Sequence, residues 1–131
     1  MNIDSFIGLP YRDGARGPDA YDCYGIVAAV LKAVKGLELP DWHAAAATPQ
    51  AASRAIAAAL AGEVAGGRVL AVVDPADWDI AIVGSTFRPH HVGVFFGGGV
   101  LHASRAFGSV WHPLNRFRLL YPHTEFYRWH R

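Results

Sequence analysis

The sequence predicts an α+β domain, with helices in the first half packed on an antiparallel β-sheet formed by the second half. Two observations carry this. From Cys23 onward the apolar residues Cys23, Ile26, Val27, Val30, Leu31 and Val34 fall at the i, i+3, i+4, i+7, i+8, i+11 spacing of one helix face. After Gly66-Gly67 the period becomes two, in short runs rich in Val, Ile and aromatics that are separated by turn residues.

The elements follow in order. Residues 3–9 read as a short helix ending at Gly8. Pro10 to Tyr21 is rich in Gly, Pro and Asp and reads as an ordered loop. Asp22 stands where a helix N-cap belongs, Lys32 and Lys35 fall in the last turn, and Gly36 follows as the C-terminal cap, so a helix is expected over 23–35. Thr48-Pro49 opens a second, Ala-rich helix expected to run to about Leu60. Strands are expected at Val69–Val73, Trp78–Val83, His91–Phe96, Val100–Ser104, Ser109–His112 and Thr124–Trp129, with a helical turn over Pro113–Leu119.

The 131 residues suit one domain, 1–131, with one core. Apolar residues make up 52% and charged residues 18%, a folded and not a disordered composition. A net charge of +1 implies no nucleic-acid partner. Arg105, Arg116, Arg118, Arg128 and Arg131 make the last third basic, which reads as a solvated face. The N-terminus lacks the basic and apolar regions of a signal peptide, and no run reaches the roughly 20 apolar residues of a membrane span. The expectation is synthesis in the cytoplasm with no membrane span and no secretory signal of its own.

The chain has one cysteine, so an intramolecular disulfide is excluded. At the first position of the helix, Cys23 would feel the partial positive charge of the helix end, which favours a thiolate, and would sit beside free N–H groups able to bind an oxyanion. A small buried hydrophobe at a helix end would look the same. Of the seven histidines, His43, His112, His123 and His130 read as surface residues. His91 and His102 flank one hairpin. A turn centred on Phe96-Gly97 would set them opposite each other, with Cβ atoms about 5 Å apart. A turn centred on Gly98-Gly99 would slide them by roughly 13 Å along the same face. Three consecutive glycines permit either. Gly93 lies two residues past His91 on the same face, where a missing side chain either leaves room beside the imidazole or serves close packing with no part in the chemistry. Tyr11, in the loop before the helix, could reach the sulfur or an oxyanion, or could simply pack under the loop. A metal site on His90, His91 and His102 is disfavoured: there is no His-Glu-x-x-His and no Cys pair, and adjacent strand residues point to opposite faces. No Gly-x-Ser-x-Gly elbow and no phosphate-binding Gly loop before a helix are present, and no cofactor is implied.

Taken together, these segments resemble a known family. Gly8-Leu9-Pro10-Tyr11-Arg12-Asp13-Gly14, Asp22-Cys23-Tyr24-Gly25-Ile26-Val27, Trp78-Asp79-Ile80-Ala81-Ile82, His91-Val92-Gly93-Val94-Phe95-Phe96-Gly97 and Leu101-His102-Ala103 are similar, in order and spacing, to the NlpC-like cell-wall cysteine peptidases. The resemblance implies a papain-like α+β fold and hydrolysis of an amide bond in the peptide stem of peptidoglycan, often next to D-glutamate or diaminopimelate. It implies Cys23 as nucleophile, His91 as base, His102 as the third polar residue and Tyr11 as the tyrosine near the sulfur. Tyr11, Asp22 and the Cys23 backbone are the expected oxyanion or substrate contacts. Two departures stand out: Tyr24 replaces the family's usual Ser, and Asp13-Gly14-Ala15-Arg16-Gly17 replaces its usual Trp-Gly-Gly. Asp-Cys-Tyr-Gly, with the aromatic-basic ending Phe126-Tyr127-Arg128-Trp129, resembles members encoded among phage tail genes, so a phage tail or gene-transfer-particle tail is an expected partner. A tail-assembly protein with vestigial activity, and a thiol acyltransferase or deamidase on another substrate, remain as alternatives.

Overall fold

The computed structural model describes residues 3–39, 62–63, 65–84 and 89–129. The second helix expected over 49–60 lies outside the described residues. At the N-terminus the expected short helix is a single 3-10 turn, Asp4–Phe6.

Helix α1 spans Cys23–Lys35. Asp22 caps it, its carboxylate accepting the Gly25 N–H. At the other end Gly36 takes the left-handed conformation (φ 65°), and the Leu37 N–H reaches back to the Leu31 carbonyl. This pattern satisfies carbonyls that the helix leaves without partners. Ile26, Val27, Val30 and Leu31 are buried, so the face read from the spacing is the face that packs.

Six strands follow: β1 Val69–Val72, β2 Ile80–Gly84, β3 Pro89–Phe96, β4 Gly99–Ser104, β5 Gly108–Pro113 and β6 Thr124–Trp129. They form one sheet in the order β1-β6-β2-β3-β4-β5, every pair antiparallel. Strand β2 begins two residues later than Trp78 because Trp78 has φ 77° and is not extended. The open side of β5 is met by the N-terminal segment: the Gly8 N–H donates to the Ser109 carbonyl and the Ser109 N–H to the Leu9 carbonyl, each at 2.9 Å.

Both faces of the sheet are covered. Ile80, Ile82, Val92, Val94, Leu101 and Ala103 point to the side of α1. Ala81, Val83, Phe95, Val100 and Phe126 point the other way and pack around Phe117 of a short helix, α2, Leu114–Leu120. Covering both sides is why β2 carries four consecutive buried residues, Ile80 to Val83, where one-sided burial would need polar residues at alternate positions.

Candidate active site

The β3–β4 hairpin takes neither of the two registers considered from sequence. Phe96 pairs with Gly99, Phe95 with Val100 and Val94 with Leu101, so the turn residues are Gly97 and Gly98. Both have positive φ (60° and 80°), as a two-residue turn that matches strand twist requires. Continued, this register sets His102 across from Gly93 and diagonal to His91. A Cβ on Gly93 would lie 3.2 Å from the His102 Cβ and 2.5 Å from Val100 Cγ1. The glycine is thus the space through which the two imidazoles meet. His91 Nε2 and His102 Nδ1 are 2.8 Å apart, with the rings edge to face at 4.9 Å.

Both histidines sit on the α2 side of the sheet. His102 is fully buried and His91 nearly so. Tyr121, just after α2, stacks on His91 at 4.8 Å, and Phe117 meets the edge of His102 at 5.0 Å. Burial pushes His91 down to about 4, helped by the neighbouring charge of His90, and pushes His102 down to about 3, helped by His91 and His112. Both rings are therefore neutral at neutral pH.

Cys23 opens α1 and is partly exposed. Burial of the sulfur and the adjacent Asp22 carboxylate raise the thiol to about 11. The backbone N–H groups of Val92, Tyr24 and Cys23 itself oppose this. The Val92 contribution places the sulfur at the peptide link that follows His91. The helix-end effect expected from sequence is present but outweighed: at rest Cys23 is a thiol and not a thiolate.

Asp22 holds the preceding loop to the helix start. Arg16 Nη1 lies 2.8 Å from each carboxylate oxygen, and the N–H groups of Gly14 and Gly25 donate at 3.1 and 2.6 Å. Both carboxylate oxygens of Asp22 are thus engaged within the protein, where they organise this junction. The Arg16 guanidinium also lies 5.3 Å from the centre of the buried Tyr24 ring. The two departures from the family pattern, Tyr24 and the 13–17 loop, are thus one packed unit. Tyr11 is near enough to Cys23 for the sulfur's charge to raise its hydroxyl, with burial the larger cause and Asp13 accepting its proton. Arg105 lies over the Tyr11 ring at 5.3 Å and pairs with Asp13.

Sequence reasoning placed His112 on the surface. It is half-buried, and its Nδ1 lies 2.9 Å from His102 Nε2. Tyr121 was not singled out at all. The nitrogens of His91 and His102 that face each other are used on each other, and the described residues contain no group of three or more His, Cys, Asp or Glu arranged to hold a metal ion. No helix among them is long and apolar enough to cross a membrane.

The buried neutral histidines make stability depend on acidity. Unfolded, each would take a proton near pH 6.5; folded, they resist it until about pH 4 and about pH 3. Between those values the unfolded chain binds more protons. Stability is therefore expected to be greatest above pH 6.5 and to fall by a few kcal/mol as the pH drops toward 4. Urea unfolding at stepped pH checks this; a flat midpoint from pH 7 to 4 would contradict the burial of the pair.

The fold thus sets a cysteine at a helix N-terminus against a strand that carries one member of a buried His–His pair. The sequence model of the NlpC/P60 family matches residues 8–112, a stretch that includes Cys23, His91, His102 and His112. The chain belongs to the NlpC/P60 family. Solved structures share the fold. The NlpC/p60 domain of the peptidoglycan hydrolase SagA aligns with a TM-score of 0.62 at 20% identity, over 93% of this chain and 87% of that one. NlpC1 from Trichomonas vaginalis aligns at 0.64 and 18%, over 97% of this chain and 41% of that one. An NLP/P60-family protein from Staphylococcus aureus, described as similar to a lipoprotein, aligns at 0.58 and 18%, over 96% and 38%. The chain thus spans about two fifths of the last two proteins. No curated protein matches the chain.

Proposed function

We propose that this protein is a cysteine peptidase or amidase that hydrolyses an amide bond in the peptide stem of peptidoglycan. The observation that carries the reading is the 2.8 Å His91–His102 contact beside the backbone on which the Cys23 sulfur rests. His91 Nε2 is taken by His102, which leaves Nδ1 as the nitrogen that can accept a proton. Membership of the NlpC/P60 family and the likeness to a peptidoglycan hydrolase domain support murein as the substrate.

The reaction would run as acyl transfer. The sulfur attacks the amide carbonyl as its proton passes to His91 Nδ1. The carbonyl oxygen becomes an oxyanion beside the N–H groups at the start of α1. The C–N bond then breaks, and His91 returns the proton to the departing amine. His91 next takes a proton from water, whose oxygen attacks the thioester and releases the acid and the thiol. His102 holds the His91 ring in one orientation throughout.

Tyr11 already donates its hydroxyl to Asp13, so it is a secondary oxyanion donor at most. Tyr11→Phe is expected to lower kcat by about tenfold or less, the size of one neutral hydrogen bond. Steady-state kinetics on a stem peptide checks this; a thousandfold loss would make Tyr11 a principal oxyanion donor.

The finer assignment, a component of a phage tail or tail-like particle, rests on the Asp-Cys-Tyr-Gly motif. The ending 126–129 carries less of it: Phe126 and Tyr127 are buried core, and Arg128 makes a two-pronged ion pair with the buried Asp79 at 2.8 and 2.9 Å. Those residues are accounted for by the fold.

The test is digestion of purified peptidoglycan by wild type and by Cys23→Ala, with products identified by mass spectrometry. Cleaved stem peptides from wild type alone support the reading and name the bond. Rapid labelling of Cys23 by a thiol probe with no murein product would instead favour transfer to, or deamidation of, another substrate.

A further inference from the structure

The line of imidazoles does not stop at His102. Its Nδ1 lies 2.8 Å from His91 Nε2 and its Nε2 lies 2.9 Å from His112 Nδ1 on β5. His102 is fully buried, so both its nitrogens depend on these two partners. A neutral imidazole carries one N–H and one acceptor nitrogen. Three neutral imidazoles in series then have only two arrangements in which both contacts are hydrogen bonds. In one, Nε2 of every ring carries the proton and each bond is donated outward, from His91 to His102 to His112. In the other, Nδ1 of every ring carries it and each bond is donated inward. Only the outward arrangement leaves a lone pair on His91 Nδ1. If His91 is the base toward Cys23, as proposed above, only that arrangement is competent.

We propose that His112 is the positioning residue that sets the direction of this line. By accepting at Nδ1 the proton donated by His102 Nε2, it fixes the Nε2–H tautomer of His102 and, through it, that of His91. Its setting keeps the ring neutral, as acceptance at Nδ1 requires. Burial and the charge of Arg116, on α2, both act against a second proton on the His112 ring. A doubly protonated ring would donate at both nitrogens and turn the line inward. Phe107 meets the ring edge-on at 5.0 Å and restricts its rotation.

Removing the acceptor changes the balance in a stated direction. With no partner at His102 Nε2, a buried N–H there is left unpaired. Moving the proton to Nδ1, where His91 Nε2 can accept it, relieves that penalty. His91 must then carry its own proton on Nδ1, facing away from His102.

The experiment compares 15N-labelled wild type, His112→Leu and His112→Asn at neutral pH. Long-range 1H–15N correlation spectra distinguish Nε2–H from Nδ1–H rings, and the rate of Cys23 alkylation by iodoacetamide reads the base. Wild type is expected to show Nε2–H on both His91 and His102. In His112→Leu both rings are expected to move toward Nδ1–H, and alkylation to slow about tenfold, the scale of one neutral hydrogen bond. His112→Asn offers an amide oxygen near the place of Nδ1 and is expected to restore both readouts. A His91 that stays wholly Nε2–H in His112→Leu, or that is Nδ1–H in wild type, overturns the proposal. Neither readout needs murein, so failure of the peptidoglycan reading is told apart from failure of this one.

Discussion

His91→Ala is expected to lower kcat/KM for amide hydrolysis by about 10²–10⁴-fold, and combining it with Cys23→Ala is expected to cost little beyond the worse single change. The size follows from the sulfur's surroundings. A thiol held at about 11 supplies only about one thiolate in 10⁴ at pH 7. A base that removes the proton during attack recovers most of that factor, and removing the base returns it. The residual rate of His91→Ala should then rise about tenfold per pH unit, because the thiolate has to form unaided. Wild type should behave differently: its acid limb falls where His91 takes a proton, displaced from 6.5 toward about 4. Stopped assays on a stem peptide across pH 4 to 10 read both profiles. A His91→Ala enzyme within threefold of wild type would sink the assignment of His91 as base.

The parts of this fold that were legible in the sequence were those governed by local chemistry. Helix α1 could be bounded at Cys23 and Lys35 because its cap residues, Asp22 and Gly36, are local signals and its apolar face repeats regularly. The strands were found within two residues at each end for the same reason. What could not be read was where the strands sit relative to one another. Three glycines at 97–99 admit several turns, and the one adopted sets His102 across from Gly93, between the two registers weighed from sequence. Coverage of the second face by Phe117 was equally hidden, since the seven-residue α2 is too short to show a periodic face.

The site divides along the same line. Cys23, His91 and His102 stood out because their residue types and positions suggested chemistry before any contact was known. His112 did not, because its contact with His102 depends on the register of β4 against β5. That register was partly available: Ser104 pairs with Gly108, so three residues form the loop, and Gly108 has φ 69°. Followed two residues along, that pairing puts His102 opposite Val110 and diagonal to His112. The resting protonation of the sulfur was legible only in part. A helix N-terminus argues for a thiolate, but the opposing terms, burial and the neighbouring Asp22, depend on the tertiary structure.

Gly25→Ala is expected to destabilise the protein by about 2–3 kcal/mol, although alanine is the better helix former by about 1 kcal/mol. The reason is the loop packed on the first turn of α1. A Cβ at this position would lie 2.2 Å from the Ala15 carbonyl oxygen and 2.9 Å from Asp22 Oδ1. Neither can simply yield. The Ala15 carbonyl accepts the Asp22 N–H at 3.0 Å, and Asp22 Oδ1 accepts the Gly25 N–H at 2.6 Å. Relief therefore breaks the cap, worth about 1 kcal/mol, or a buried backbone bond of about the same size. The remaining overlap adds about 1–3 kcal/mol. These costs outweigh the gain in propensity. The consequence reaches the chemistry, because Cys23 lies two residues before the clash and Asp22 and Arg16 hold the loop against the helix start. Activity should fall together with stability, and the far-UV spectrum should remain that of the folded chain. Urea unfolding measures the first effect and stem-peptide hydrolysis the second. A Gly25→Ala protein as stable as wild type would mean that the 11–22 loop does not close on the helix as described, and the placement of Arg16 against Tyr24 would fall with it.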